Sequence, residues 1–202
     1  PNQECPGGPD PDVPQDTEAA AFFDVDNTLI QGSSLILLAK GLFRRHFITL
    51  SELAPALRKQ IRYRVSGSEN ADDIAEGREQ ALAIVKGKSV AELKQACREI
   101  VDNRMLEKSY ADTIELAAMH LAAGQQVWLV SATPVQIGQA LAETLGFTGA
   151  LGTVAEEKDG KFTGRLVGDI LHGPGKKHAV AALAASSGLD LSRCAAYSDS
   201  VN

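Results

Sequence analysis

The chain has 202 residues, 44% of them hydrophobic, 23% charged and 5% aromatic, the composition of a globular domain rather than of a disordered, collagen-like or disulfide-stapled one. A chain of this length buries roughly 70% of the surface its unfolded form exposes, so it needs no metal or disulfide merely to fold. Net charge is −6, but Glu4, Asp10, Asp12, Asp16 and Glu18 fall in a first stretch without Lys or Arg, which leaves a near-neutral body and argues against nucleic-acid binding.

Cys5, Cys97 and Cys194 are odd in number and far apart, and match no zinc spacing, which fits a reducing compartment. There is no basic segment leading into an apolar one at the N-terminus, and no apolar run near the ~18 residues of a membrane span. The expectation is a cytoplasmic protein without a membrane span. Oligomeric state leaves no signal in the sequence.

In chain order, residues 1–17 hold five of the eight prolines and no two adjacent apolar residues, too little to offset ordering entropy, so a disordered leader is expected. Residues 19–25 (AAAFFDV) form an apolar run that ends in acids, as a strand buried on both faces of a parallel sheet does. Residues 34–108 read as helical, with capping-box spacings at Thr49/Glu52 and Ser89/Glu92 and no comparable strand run. Then follow a helix at 110–123 stopping at Gly124, a strand at 127–131, and a helix opened by Thr133 as cap with Pro134 in its first turn. A hairpin turns at Asp159-Gly160, a helix spans 175–187 before Gly188, and a short strand at 194–198 leads to Asp199.

The chemistry-bearing residues cluster at strand ends. In Asp24-Val25-Asp26, alternation places two carboxylates on one side just past a buried strand. Such a pair repels, and calls for a cation, a shared proton, or one acid ionised and the other protonated. A calcium loop of the DxDxD type is excluded, because its required Gly and Glu positions hold Leu29 and Leu35. Ser131 ends the second strand at VSAT, where its hydroxyl and the N–H groups of a helix start suit phosphate oxygens. Lys176 opens the helix at GPGKK, and Asp199 supplies a third carboxylate in YSDSVN.

As a set, DVDNT, VSAT, GPGK and SDSVN resemble the motifs of the haloacid dehalogenase superfamily, most closely its phosphoserine-phosphatase-like branch. The resemblance covers residues 20–202. It implies an α/β fold: a Rossmann-like parallel sheet with helices on both faces and an inserted all-helical cap. The domains would be a catalytic core at 18–33 and 109–202, a cap at 34–108, and the leader. It also implies a phosphatase acting on a small phosphomonoester. Asp24 is then the nucleophile and Asp26 the general acid and base. Asp24, Asp199 and the main-chain carbonyl of Asp26 hold Mg²⁺, and Ser131 and Lys176 hold the phosphoryl oxygens. An acid at position 26 favours hydrolysis, since relatives that preserve the acyl-phosphate typically carry Thr there.

Lys177 is the rival for the lysine role, and the 23-residue spacing to Asp199 favours Lys176. Thr28 is expected to bond within the turn after the first strand, and Asn202 matches the Asn that orients the last motif. Where the branch's phosphoserine phosphatases carry a substrate-reading Glu, nine residues past the nucleophile, this chain has Ser33. Other relatives with a QGSS-type motif include histidinol-phosphate phosphatases. Arg44, Arg45, Arg58, Lys59, Arg62 and Arg64 lie within 21 residues opposed only by Glu52. They form either a solvated helix face or, with Arg62 as the candidate, a contact to an anionic substrate group. His46, His120, His172 and His178 match no ligand spacing. The resemblance further implies another acid directly after Asn202, then a strand and a helix, so the core is expected to be cut short at its C-terminal end. The competing readings are an inactive fragment and a non-enzymatic phospho-acceptor or scaffold module. In phospho-acceptor modules the accepting Asp ends an internal strand and the acidic pair lies apart from it.

Overall fold

The computed structural model describes residues 8–52 and 79–199. Four parallel strands form one sheet in the order β3-β2-β1-β6: β1 (Ala20–Asp24), β2 (Gln126–Pro134), β3 (Gly149–Thr153) and β6 (Ala195–Tyr197). β1 is central, pairing with β2 from Ala20↔Gln126 to Asp24↔Val130 and with β6 from Ala21↔Ala195 to Phe23↔Tyr197. Its side chains alternate between two apolar layers, as a strand buried on both faces requires. Ala21, Phe23 and Val25 join one cluster, whereas Ala20 and Phe22 join the other.

The first layer is filled by helices α2 (Val90–Ile100), α3 (Ala111–Ala122) and α4 (Val135–Leu145), through Leu93, Ala117, Ile137 and Leu141. Helix α5 (Pro174–Ser187) covers the other face with Val180, Leu183 and Ala184. The short β6 is held to β1 by more than its ladder. Tyr197 stacks on Phe23 at 4.6 Å, a contact type worth about 0.5–1.5 kcal/mol beyond area burial, and its hydroxyl meets His120 Nε2 at 2.8 Å. His120 is therefore a half-buried, partnered histidine.

Helix α1 (Ser34–Arg44) follows the first strand, and helical residues 79–85 lead to α2. Each expected capping box shows one of its two bonds: Thr49 N donates to Glu52 Oε2 at 2.7 Å, and Glu92 N donates to Ser89 Oγ at 3.3 Å. After α2 the chain runs through a π turn (Val101–Met105) and a 3₁₀ turn (Leu106–Lys108). It then rejoins the loop after β1, with Gln31 N donating to Lys108 O and Tyr110 N to Leu29 O. Leu38 and Leu42 of α1 and Leu93 and Ile100 of α2 lie in the same cluster as the sheet, so this part of the insertion shares the core's interior.

The hairpin β4 (Ala155–Lys158) and β5 (Lys161–Leu166) turns at Asp159 and Gly160, both at positive φ, 51° and 74°. Two such residues in a two-residue loop match the right-handed twist of the strands. It docks by backbone bonds onto residues 87–90, including Gly87 N to Phe162 O at 2.8 Å.

Two expectations need correction. Residues 8–17, expected to be disordered, lie against the end of α3: Asp10 N and Gln15 Nε2 donate to Ala122 O, and Asp16 N donates to Ala123 O. The last carbonyls of a helix lack internal partners, and this segment supplies them. Arg193 then pairs with Asp16 and Glu18, both at 2.7 Å. The second correction concerns β2, which continues through Pro134. Helix α4 starts at Val135 without a side-chain cap, so Thr133 is not an N-cap. A register shift between Val130 and Pro134 lets the strand carry on beside Thr153.

Candidate active site

The ends of β1, β2 and β6 and the start of α5 converge at the carboxyl edge of the sheet, where parallel α/β sheets place their ligands. Asp24, the last residue of β1, follows Ala20 and Phe22 on the face that α5 covers. Gly173 at φ 50°, followed by Pro174 at the first turn, sets the start of α5. Lys176 then reaches back so that its Nζ donates to Asp24 Oδ2 at 2.8 Å, across 152 residues of sequence. Lys177 is exposed. Asp24 Oδ1 accepts from Val25 N at 2.7 Å. A carboxylate oxygen has room for two partners, so each keeps capacity for a cation or for attack on phosphorus.

Asp26 lies just beyond, in a loop closed by bonds from Ile30 N to Val25 O and from Asn27 N to Ile30 O, which use neither backbone group of Asp26. Its Oδ1 accepts from Ser34 N at 2.9 Å and also from Ser34 Oγ. Asn27, at φ 56°, accepts from Gly32 N at 2.9 Å, and Ser33 caps α1 by accepting from Ile36 N. The QGSS segment therefore builds the loop and starts a helix, and Ser33 is engaged as its cap.

Ser131 lies one residue past Val130, the partner of Asp24, and is 4% exposed. Its Oγ is 2.8 Å from Thr133 Oγ1 and accepts from Thr133 N at 3.2 Å. Thr153 Oγ1 donates to Ala132 O at 2.7 Å and accepts from Leu171 N at 3.2 Å, tying this segment to the chain that leads into α5. Thr28, expected to bond within its turn, bonds instead across the site. Its hydroxyl accepts from Asp199 N at 2.9 Å, while its carbonyl accepts from Thr113 Oγ1 at 2.8 Å. Asp199, two residues after β6, is thereby anchored to the loop after β1. Arg62 and Asn202 lie outside the described residues.

The side chains of Asp24 and Asp199 and the Asp26 carbonyl, which accepts no bridge hydrogen bond, offer hard oxygens of the kind Mg²⁺ takes. Among the described residues no three His, Cys, Asp or Glu come together as a metal cluster, and the expected set requires only two carboxylates. The residues fit such an ion. The reasoning from sequence missed Ser34, Thr133 and Thr153, and placed the Thr28 bond too locally. Thr133 stands inside VSAT and Ser34 inside QGSS, whereas Thr153 is adjacent to no motif.

No described helix is long and apolar enough to cross a membrane. The chain is 54% identical over 195 residues to phosphoserine phosphatase SerB1 of Mycobacterium tuberculosis, covering 96% of this chain and 63% of that protein; it thus spans less than two thirds of that relative's length. Among solved structures, a protein of unknown function from Bordetella pertussis superposes with a TM-score of 0.74 at 26% identity, over 89% of this chain and 80% of that one. A phosphoserine phosphatase solved as a phospho-aspartyl intermediate analogue gives 0.56 at 19% identity, over 90% and 78%, which speaks to the fold. A profile of haloacid dehalogenase-like hydrolases matches residues 21–202. With the parallel sheet, the acids at the end of β1 and the lysine at the start of α5 in place, the chain belongs to the haloacid dehalogenase-like hydrolase family.

Proposed function

We propose that the protein is a Mg²⁺-dependent phosphomonoester hydrolase that acts on a small phosphorylated metabolite through an aspartyl-phosphate. The observation that carries this reading is the 2.8 Å contact between Lys176 and Asp24, which places a cation on the carboxylate that closes the central strand. An Asp so held is fixed in position for attack, and its lysine lies where phosphoryl oxygens would be neutralised. The name of the mycobacterial relative points the same way.

In the first half-reaction an Asp24 oxygen bonds to phosphorus. The bond from phosphorus to the leaving oxygen breaks, and that oxygen takes its proton from the Asp26 carboxyl group. In the second, Asp26 removes a proton from water as the water oxygen attacks phosphorus, and the bond to Asp24 breaks to free its carboxylate. The sum is one phosphomonoester and one water giving an alcohol and phosphate. Ser131 donates to a phosphoryl oxygen, its hydroxyl held ready by Thr133. Asp24, Asp199 and the Asp26 carbonyl would hold Mg²⁺, which would supply the charge neutralisation that lets an anionic nucleophile approach an anionic ester.

The substrate is a small phosphomonoester that need not carry an amino group. Ser33 supplies no carboxylate to read one and is occupied as the cap of α1. Residues 18–33 and 109–202 would form the catalytic core and 34–108 the cap over it. The test is hydrolysis of 4-nitrophenyl phosphate and of a metabolite panel, with and without Mg²⁺, in the wild type and in D24N. The expected result is Mg²⁺-dependent turnover that falls by about 10³-fold or more in D24N. Acid-stable labelling of the wild-type protein by a ³²P-substrate should also disappear in D24N. Turnover that survives D24N overturns the reading.

A further inference from the structure

We infer that Ser34 is the positioning residue of the general acid, fixing one oxygen of Asp26 so that the other is left to carry the proton to and from the reacting oxygen. The inference rests on the reading of Asp26 as the general acid given above.

The side-chain torsion that orients a carboxyl group is broad and roughly two-fold, so an Asp in a loop has no intrinsic orientation. At Asp26 that freedom is removed by a single residue. Ser34 contributes both its backbone N–H, at 2.9 Å, and its hydroxyl to the same atom, Oδ1. Two donors from one rigid position define the plane of the carboxyl group as well as its direction. Oδ2 has no hydrogen-bond partner among the described residues, and is the atom free to hold a proton.

Three features set this apart from an ordinary helix start. Capping of α1 is already supplied by Ser33, which accepts from Ile36 N. Ser34 is fully buried at 0% exposure beside the half-buried Asp26. An interior position of that kind suits an apolar side chain unless its hydroxyl has a partner, and the partner here is the acid. Finally, Ser34 is the first residue of α1, whose Leu38 and Leu42 are seated in the core, so the two donors sit on a packed element rather than a free loop.

The experiment compares wild type, S34A, S34T and D26N in the complete natural protein with saturating Mg²⁺. It reads kcat/KM for a leaving-group series from 4-nitrophenyl phosphate, whose phenolate departs unprotonated, through phenyl to ethyl phosphate, whose oxygen needs a proton. The ratio of ethyl to 4-nitrophenyl kcat/KM on one sample is independent of the fraction of protein that is folded. D26N should lower this ratio by about 100-fold or more, S34A by roughly 10-fold through misplacement of the acid, and S34T should restore it.

If D26N leaves the ratio unchanged, Asp26 is not the acid and the functional reading falls. If D26N collapses the ratio while S34A keeps the wild-type value, that reading stands and the role of Ser34 is overturned. An S34T protein with wild-type melting temperature but the ratio of S34A also overturns it. A merely structural Ser34 would lower the melting temperature of S34A and leave the ratio alone.

Discussion

Two helix N-termini meet the end of β1, and they treat its two carboxylates differently. The start of α5 presents a cation: Lys176 pairs with Asp24 from 152 residues away. The start of α1 presents neutral donors: Ser34, eight residues from Asp26, gives its N–H and hydroxyl to one oxygen. Asp24 and Asp26 are chemically identical and separated only by Val25. What distinguishes them is the element that faces each. In the proposed mechanism, a cation fits the acid that attacks phosphorus, and donors that leave one oxygen open fit the acid that carries the proton.

The comparison can be sharpened by variants on either side of it. K176M removes the cation, and should lower kcat/KM by about 100-fold for every member of the leaving-group series, with the ethyl to 4-nitrophenyl ratio unchanged. A ratio that falls as far as in S34A would erase the distinction between the two helix ends. G152A disturbs a third edge of the site without touching either helix. A Cβ at Gly152 would lie 2.7 Å from Val135 Cα and 2.9 Å from Thr133 O, backbone atoms that cannot swing away. The substitution should cost about 1–3 kcal/mol, read by denaturant titration, and should weaken all substrates alike by displacing the Ser131–Thr133 segment.

T28V is a smaller change. It removes the acceptor that holds Asp199 N, and should raise the Mg²⁺ concentration for half-maximal activity roughly 10-fold, as loss of a supporting hydrogen bond does. The smallest effect serves as a control. Burial in α2 pushes the Cys97 thiol up to about 12 from 9.0. Because the folded state favours the neutral thiol, its contribution to stability is present below pH 9.0 and is lost as pH rises from there towards 12. At pH 8, iodoacetamide should label the half-buried Cys194 in the native protein and Cys97 only on unfolding, as read by peptide mass. Unchanged Cys97 protection in K176M and S34A would show that their effects are local.

Much of the architecture was legible because its causes are local. The apolar run before Asp24, the capping pairs at Thr49/Glu52 and Ser89/Glu92, the Asp159-Gly160 turn and the stop of α5 at Gly188 each depend on a few adjacent residues and on backbone preferences that travel with them. The expectation of Lys176 rather than Lys177 rested on its 23-residue spacing to Asp199, and it is Lys176 that meets Asp24. The segment 8–17 misled for the opposite reason. Its proline-rich composition carries no core, yet it is held by the unpaired carbonyls at the end of α3, which composition does not show.

By itself, then, the sequence determined the strand that carries the acids, the helices that flank it and the motif residues at their ends. These follow from short-range periodicity, capping and turn chemistry. Only the tertiary structure decided which partner each acid receives: Lys176 for Asp24, Ser34 for Asp26, Thr133 for Ser131, and Thr28 for the loop of Asp199. Hydroxyl groups are common and make directional bonds of short reach, so their assignment depends on strand register and on the line along which each helix meets the sheet.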